Sequence, residues 1–178
     1  MKIRRICLFG GPGSGKSTTA AWLFASLKMK HYNIELVQEY VKTWAIENRP
    51  PKSFDQVYLL AKQMRKEDIV LRNNVDLIVT DSPVFLSTCY AKKYSSPGWK
   101  SLMDLAVEFD GTYPPLNIVI GRDHSSYKPG EGRFQTYEEA VEMDVCIKDT
   151  LTSAGCTYHE VTCGDTSALM ALVESATK

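Results

Sequence analysis

Gly10-Gly11-Pro12-Gly13-Ser14-Gly15-Lys16-Ser17, with Thr18 next, is the stretch on which the reading of this chain turns. It satisfies G-x-x-x-x-G-K-[ST] in the context that gives the pattern a mechanism. The apolar run at residues 3–9 ends on it. A helical pattern opens near Gly15, with Ala20, Leu23, Phe24 and Leu27 recurring at three- and four-residue spacing. Glycines let successive backbone N–H groups turn inward around phosphate oxygens, and a helix start adds unpaired N–H groups and the positive end of its dipole. The stretch is therefore expected to hold ATP through Gly11, Pro12, Gly13, Ser14, Gly15, Lys16, Ser17 and Thr18. Lys16 would reach the β- and γ-phosphates, and the Ser17 hydroxyl would ligate Mg2+, the implied cofactor.

Working outward, 178 residues at about 100–200 per domain make one domain spanning 1–178. The 21 basic and 21 acidic side chains cancel, which excludes the broad electrostatic footprint of a non-specific duplex binder and leaves room only for a local basic groove. Nothing is apolar for the roughly 18 residues a membrane span needs, so no membrane partner is expected. The basic start Lys2-Ile3-Arg4-Arg5 is followed by too short an apolar run for a signal peptide, and a cytoplasmic location is expected. The five cysteines form no C-x-x-C pair and read as small apolar residues of a reducing compartment. The three histidines lie far apart, without ligand spacing.

Short apolar runs alternate with helical patterns along the rest of the chain. Strands are expected at residues 3–9, 34–37, 75–80, 116–120 and 156–162. A short helix at 41–48 stops at Arg49-Pro50-Pro51. Ser53 is read as the cap of a longer helix whose apolar face carries Val57, Leu60, Met64 and Leu71, with Lys62, Arg65, Lys66 and Glu67 largely outside it. Helices follow at 84–94, 99–109, 136–151 and 167–176. The last but one opens on Thr136 with Glu139 three residues on, the pattern of a capping box. Strands alternating with helices imply an α/β protein, a three-layer P-loop NTPase fold with a five-stranded parallel sheet and a lid loop at about 122–135.

In such a sheet ligands gather beyond the carboxyl ends of the strands. Asp81 ends the third strand, where a carboxylate can share Mg2+ with Ser17. Glu39 ends the second strand and could accept a proton from an acceptor hydroxyl, with Tyr40 beside it on the substrate side. Arg122 and Arg133, with Lys128 behind them, lie in the charged, glycine-containing loop. Arginines on a closing lid can neutralise a migrating phosphoryl group and exclude water. Gln63 and Arg65 complete the substrate side, since an amide can read a base edge and a guanidinium can hold phosphate or ribose. Tyr40 or Trp44 could stack on a base.

With these residues in place, the chain resembles the nucleoside and nucleotide kinase branch of P-loop proteins, broadly the thymidylate-kinase-like group. It looks most like the short kinases encoded by DNA bacteriophages. The resembling stretches are FGGPGSGKSTTAAWLF (9–24), ELVQEY (35–40), DQVYLLAKQ (55–63) and TDSPVFLS (80–87). Some members of that group phosphorylate 5-hydroxymethyluracil in phage DNA during base hypermodification, which would place the protein in the host cytoplasm. The chain is also similar to nicotinamide-riboside kinase domains, through Glu39-Tyr40 and CYAKKYSSPGW (89–99). Gln38-Glu39-Tyr40 and Asp81-Ser82-Pro83 depart from the Arg-Glu-Pro-Gly and Asp-Arg-Tyr patterns of thymidylate kinases, which argues against ordinary thymidylate binding.

The resemblance implies a kinase moving the γ-phosphoryl group of ATP to a hydroxyl, with 5-hydroxymethyluracil in DNA as the specific expectation. A free deoxynucleoside monophosphate or nicotinamide riboside is the alternative acceptor, and a homodimer is an open arrangement. A nucleotide-hydrolysing switch or motor is a different class. A GTPase switch would need D-x-x-G where Asp81-Ser82-Pro83-Val84 stands, and N-K-x-D where Asn74-Val75-Asp76 stands. A regulatory module without catalysis ranks last, because Lys16, Ser17 and Asp81 are all in place.

Overall fold

The computed structural model describes residues 3–122 and 135–177. In chain order the elements are β1 (Arg5–Phe9), α1 (Lys16–Met29), β2 (Ile34–Val37), α2 (Lys42–Ile46), α3 (Asp55–Leu71), β3 (Leu77–Thr80), α4 (Val84–Lys93), α5 (Trp99–Thr112), β4 (Pro115–Gly121), α6 (Tyr137–Ser153), β5 (His159–Thr162) and α7 (Thr166–Thr177). The five strands are all parallel and lie in the order β2-β3-β1-β4-β5.

Alternation along β1 shows how three layers arise. Ile6 and Leu8 face one way, onto Leu23 and Leu27 of α1 and Leu169 and Val173 of α7. Cys7 and Phe9 face the other way, onto Phe85 and Cys89 of α4, Ala106 of α5 and Ile147 of α6. A strand covered on both faces has no polar side to show, so β1 and β3 read as unbroken apolar runs. The expected α/β sandwich and its five-stranded parallel sheet are therefore present. The loop expected to act as a lid falls mainly on residues 123–134, outside the described ones.

The start of α6 follows the sequence pattern: Thr136 Oγ1 accepts from Glu139 N at 3.3 Å, and Glu139 Oε2 accepts from Thr136 N at 2.8 Å. The start of α3 does not. Phe54 is the N-cap and Ser53 holds a left-handed φ of 46° without capping, while the Asp55 carboxylate takes the Lys52 N–H at 2.9 Å. Along α3 the buried stripe runs through Gln56, Leu60, Gln63, Glu67 and Leu71, whereas Val57 is 42% exposed. Glu67, expected outside, is fully buried because Arg5 of β1 meets its charge. All five cysteines are free thiols, and among the described residues no helix is long and apolar enough to cross a membrane.

Candidate active site

Parallel strands deliver their carboxyl ends to one edge of the sheet, and four of them converge there. The glycine-rich loop leaves β1, Glu39 follows β2, Asp81 follows β3 and Arg122 follows β4. The loop and Glu39 line a cavity of about 660 Å³, together with Tyr40, Gln63, Ser82 and Tyr90 among others.

The loop is held tightly. Gly15 caps α1 with φ 89°, a conformation that favours glycine. A Cβ on Gly11 would lie 2.5 Å from the Ala140 carbonyl, so no larger residue fits between the loop and α6. Lys16 Nζ donates to the Gly10 and Gly11 carbonyls at 2.6 and 3.0 Å, a folded-back position from which it can swing to a phosphate. Burial lowers its pKa, opposed by the nearby carboxylates of Glu39, Asp81 and Asp144.

Asp81 and Glu39 are joined. Asp81, 5% exposed, accepts the Glu39 N–H on Oδ1 at 2.8 Å, and the Ser82 hydroxyl donates to Glu39 Oε1 at 3.2 Å. Burial raises the Glu39 pKa above the ordinary carboxylate range, with Lys16 pulling the other way and the Asp81 charge adding to the rise. A carboxylate so displaced is a better proton acceptor than a free one. The next peptide is fixed as well, since Tyr40 N–H donates to Gln63 Oε1 at 3.2 Å.

The Ser17 hydroxyl and the Asp81 carboxylate are hard oxygen donors suited to Mg2+, which keeps waters and substrate phosphates as most of its shell. Among the described residues no group of three His, Cys, Asp or Glu forms a dedicated cage for a metal. The donor set fits a metal that arrives with the nucleotide.

Arg122 is bonded to α6 and to the glycine-rich loop. Its Nε donates to Asp144 Oδ2 at 3.0 Å, its Nη2 lies 3.0 Å from the same oxygen and donates to the Ala140 carbonyl at 3.4 Å, and its Nη1 donates to the Pro12 carbonyl at 2.8 Å, while Asp144 Oδ1 accepts the Gly11 N–H. Here Arg122 and Asp144 tie α6 to the phosphate loop. Arg65 is exposed on α3 and does not line the cavity. Arg133 and Lys128 lie outside the described residues. Trp44 is buried, stacked on Tyr58 with centroids 5.9 Å apart and Arg49 3.9 Å over its ring, while Tyr40 meets Tyr58 through a 2.9 Å hydroxyl contact.

Asp144, Glu67 and Tyr90 are the site residues that sequence reasoning missed. The first two shared a signal. Each is an acid on an otherwise buried helical stripe: 140, 143, 144, 147 and 151 in α6, and 56, 60, 63, 67 and 71 in α3.

A family model described as an AAA domain matches residues 5–168. No protein among the curated sequences matches the chain. Among solved structures, NadR in complex with NR superposes with a TM-score of 0.74 at 16% identity, covering 98% of this chain and 52% of that one. Thymidylate kinase from Candida albicans gives 0.64 at 17% identity, covering 98% and 92%. Deoxyadenosine kinase from M. mycoides with bound dATP gives 0.56 at 15%, covering 97% of each. The chain thus spans about half the length of NadR and nearly all of the two kinases. These likenesses concern the fold, and with the family match over residues 5–168 they lead to one conclusion: the chain belongs to the AAA domain family and carries the P-loop kinase fold.

Proposed function

We propose that this protein is an ATP-dependent kinase that phosphorylates a hydroxyl group on a nucleoside-type acceptor. The observation that carries the reading is the placement of Glu39 and the phosphate loop on one cavity, with Asp81 bonded to the Glu39 backbone between them. A buried carboxylate with a raised pKa can take the proton of an acceptor hydroxyl, and label on an acceptor rather than hydrolysis alone separates this reading from a switch ATPase. The likeness in fold to a thymidylate kinase and a deoxyadenosine kinase supports the reading.

In this reading the backbone N–H groups of Gly13 and of residues 15–18, with Lys16 Nζ, hold the phosphates. Ser17 and Asp81 hold Mg2+, which when bound neutralises phosphate charge. The acceptor oxygen forms its bond to the γ-phosphorus as the bond to the ADP oxygen breaks, and the acceptor proton passes to a Glu39 carboxylate oxygen. Tyr40, Tyr90 and Leu86 wall the acceptor side and suit a flat ring.

The specific acceptor we favour is 5-hydroxymethyluracil in DNA, on the strength of the resemblance in residues 9–24, 35–40, 55–63 and 80–87. The α2–α3 region offers a feature in its favour: Arg49 lies over Trp44, Tyr58 is 45% exposed with Lys62 near its ring, and Phe54 is 62% exposed. Aromatic and cationic side chains together suit an unpaired strand. The test offers γ-labelled ATP with free nucleosides, deoxynucleoside monophosphates, nicotinamide riboside, and DNA with and without 5-hydroxymethyluracil. Label on the modified DNA is the expected result. Label on a free nucleoside keeps the kinase and replaces the acceptor, and hydrolysis without any labelled acceptor refutes the kinase.

A further inference from the structure

Glu67 is a fully buried carboxylate, and the reaction just described does not use it. Its Oε2 faces Arg5, 2.9 Å from Nε and 2.7 Å from Nη2. Its Oε1 accepts from three donors on three elements: Val84 N–H at 3.1 Å, Gln63 Nε2 at 3.2 Å and the Thr80 hydroxyl at 3.4 Å. Gln63, 3% exposed, passes the connection on, because its Oε1 accepts the Tyr40 N–H at 3.2 Å. Its Nε2 is directed at Glu67 and Thr80, so the amide is occupied at both ends and is not presented to a base.

We propose that Gln63 and Glu67 are positioning residues, a buried brace that fixes Glu39 and the Asp81–Val84 turn relative to each other and acts on phosphoryl transfer through them. The inference rests on the kinase reading for its consequence in turnover, though not for its geometry. Two consecutive backbone amides flank the Glu39 side chain. The Glu39 N–H is held by Asp81 and the Tyr40 N–H by Gln63, so losing either lets the carboxylate drift. On the other branch, Glu67 takes the first N–H of α4, directly after Asp81-Ser82-Pro83, and so holds the end of the turn that carries Asp81.

Stability is a weak reason to bury this pair. Removing two charges from water costs enough that an apolar pair of equal volume is often as stable or more so, whereas breaking one partner alone is severe. Arg5 is also tied to Asp110 Oδ1 at 2.5 Å and to the Tyr113 carbonyl at 3.2 Å, which keeps the guanidinium aligned under Glu67. What the ion pair provides that leucine and methionine cannot is a fixed acceptor for donors on α3, β3 and α4 at once.

The test compares Gln63→Met and the paired Arg5→Met/Glu67→Leu protein with the wild type. Far-UV circular dichroism reports folding, and calorimetry reports ATP binding. Hydrogen exchange follows the Tyr40 amide. The expected result is folded protein with ATP affinity within about twofold of wild type, and Tyr40 exchange faster by about tenfold or more. The kcat should fall by about ten- to a hundredfold with a smaller change in acceptor KM.

Tyr40 protection and kcat equal to wild type in a folded variant would overturn the proposal. If the paired variant does not fold, Gln63→Met decides. Loss of folding in both would assign the network to stability alone and overturn the proposal equally. A wild-type protein that labels no acceptor would remove the kinase reading, while exchange at Tyr40 would still decide whether the brace exists.

Discussion

Replacing Gly15 by alanine tests both the conformation of the phosphate loop and what lies behind it. Gly15 has φ 89° and ψ 8°, and a Cβ there would sit 2.4 Å from Cys163 Sγ. Two separable costs follow. Holding an L-residue in the left-handed region costs about 1–2 kcal/mol. Forcing a methyl against the sulfur costs about 1–3 kcal/mol; the lower end applies if the thiol turns to another staggered rotamer. The backbone there has little slack, since Cys163 N–H is bonded to the Gly121 carbonyl at 2.8 Å. Gly15→Ala should therefore lose about 2–5 kcal/mol in all. At about 2–4 °C per kcal/mol for a chain of this size, Tm should fall by about 4–20 °C.

The same substitution in a Cys163→Ala background meets only the Cys163 Cβ at 3.6 Å, an ordinary contact, and only the backbone cost should remain. Urea or thermal unfolding of the four proteins measures the coupling, expected at about 1–3 kcal/mol. Equal losses in the two backgrounds would refute the sulfur contact. A Gly15→Ala protein as stable as wild type would refute the left-handed cap as well.

Lys16→Ala and Asp81→Ala should each abolish phosphoryl transfer while leaving the unfolding midpoint within a few degrees of wild type; labelled-ATP turnover beside a melting curve checks both, and normal turnover in either contradicts its role. Glu39 must be deprotonated to take a proton, and burial favours its neutral form. Activity should therefore be present at high pH and fall away as pH drops through a value above the ordinary carboxylate range. A pH profile of kcat shows this limb, which Glu39→Gln should erase together with most of kcat and little of the ATP affinity. Thr136→Ala removes half of the capping box of α6 and should cost about 1 kcal/mol, or about 2–4 °C in Tm. An unchanged Tm would show that the cap contributes nothing.

Much of this architecture was legible residue by residue. The run ending at Phe9, the loop from Gly10 to Ser17 and the helix after it are local in sequence, and so is the reciprocal Thr136–Glu139 cap. Asp81 and Glu39 could be found because the ends of parallel strands share one edge. Hydropathy misled on α3, where Val57 is exposed and Gln63 and Glu67 are buried. A polar side chain becomes a core residue when a distant partner meets it, and Arg5 lies 62 positions from Glu67 in the sequence. The same reason turned Arg122 from an expected charge neutraliser into a tie to Asp144, 22 residues away.

From the residues alone one could read the kind of fold and the conformation of the glycine-rich loop. Both depend on local quantities: strand and helix periodicity, glycine freedom, and the donors left over at a helix start. Only the tertiary structure decided which polar groups face one another. Asp81 holds the peptide of Glu39, Gln63 and Glu67 brace it from behind, and Asp144 rather than open solvent receives Arg122. Those pairings follow from how helices pack across the sheet. A buried charge must find its opposite wherever the chain happens to bring one.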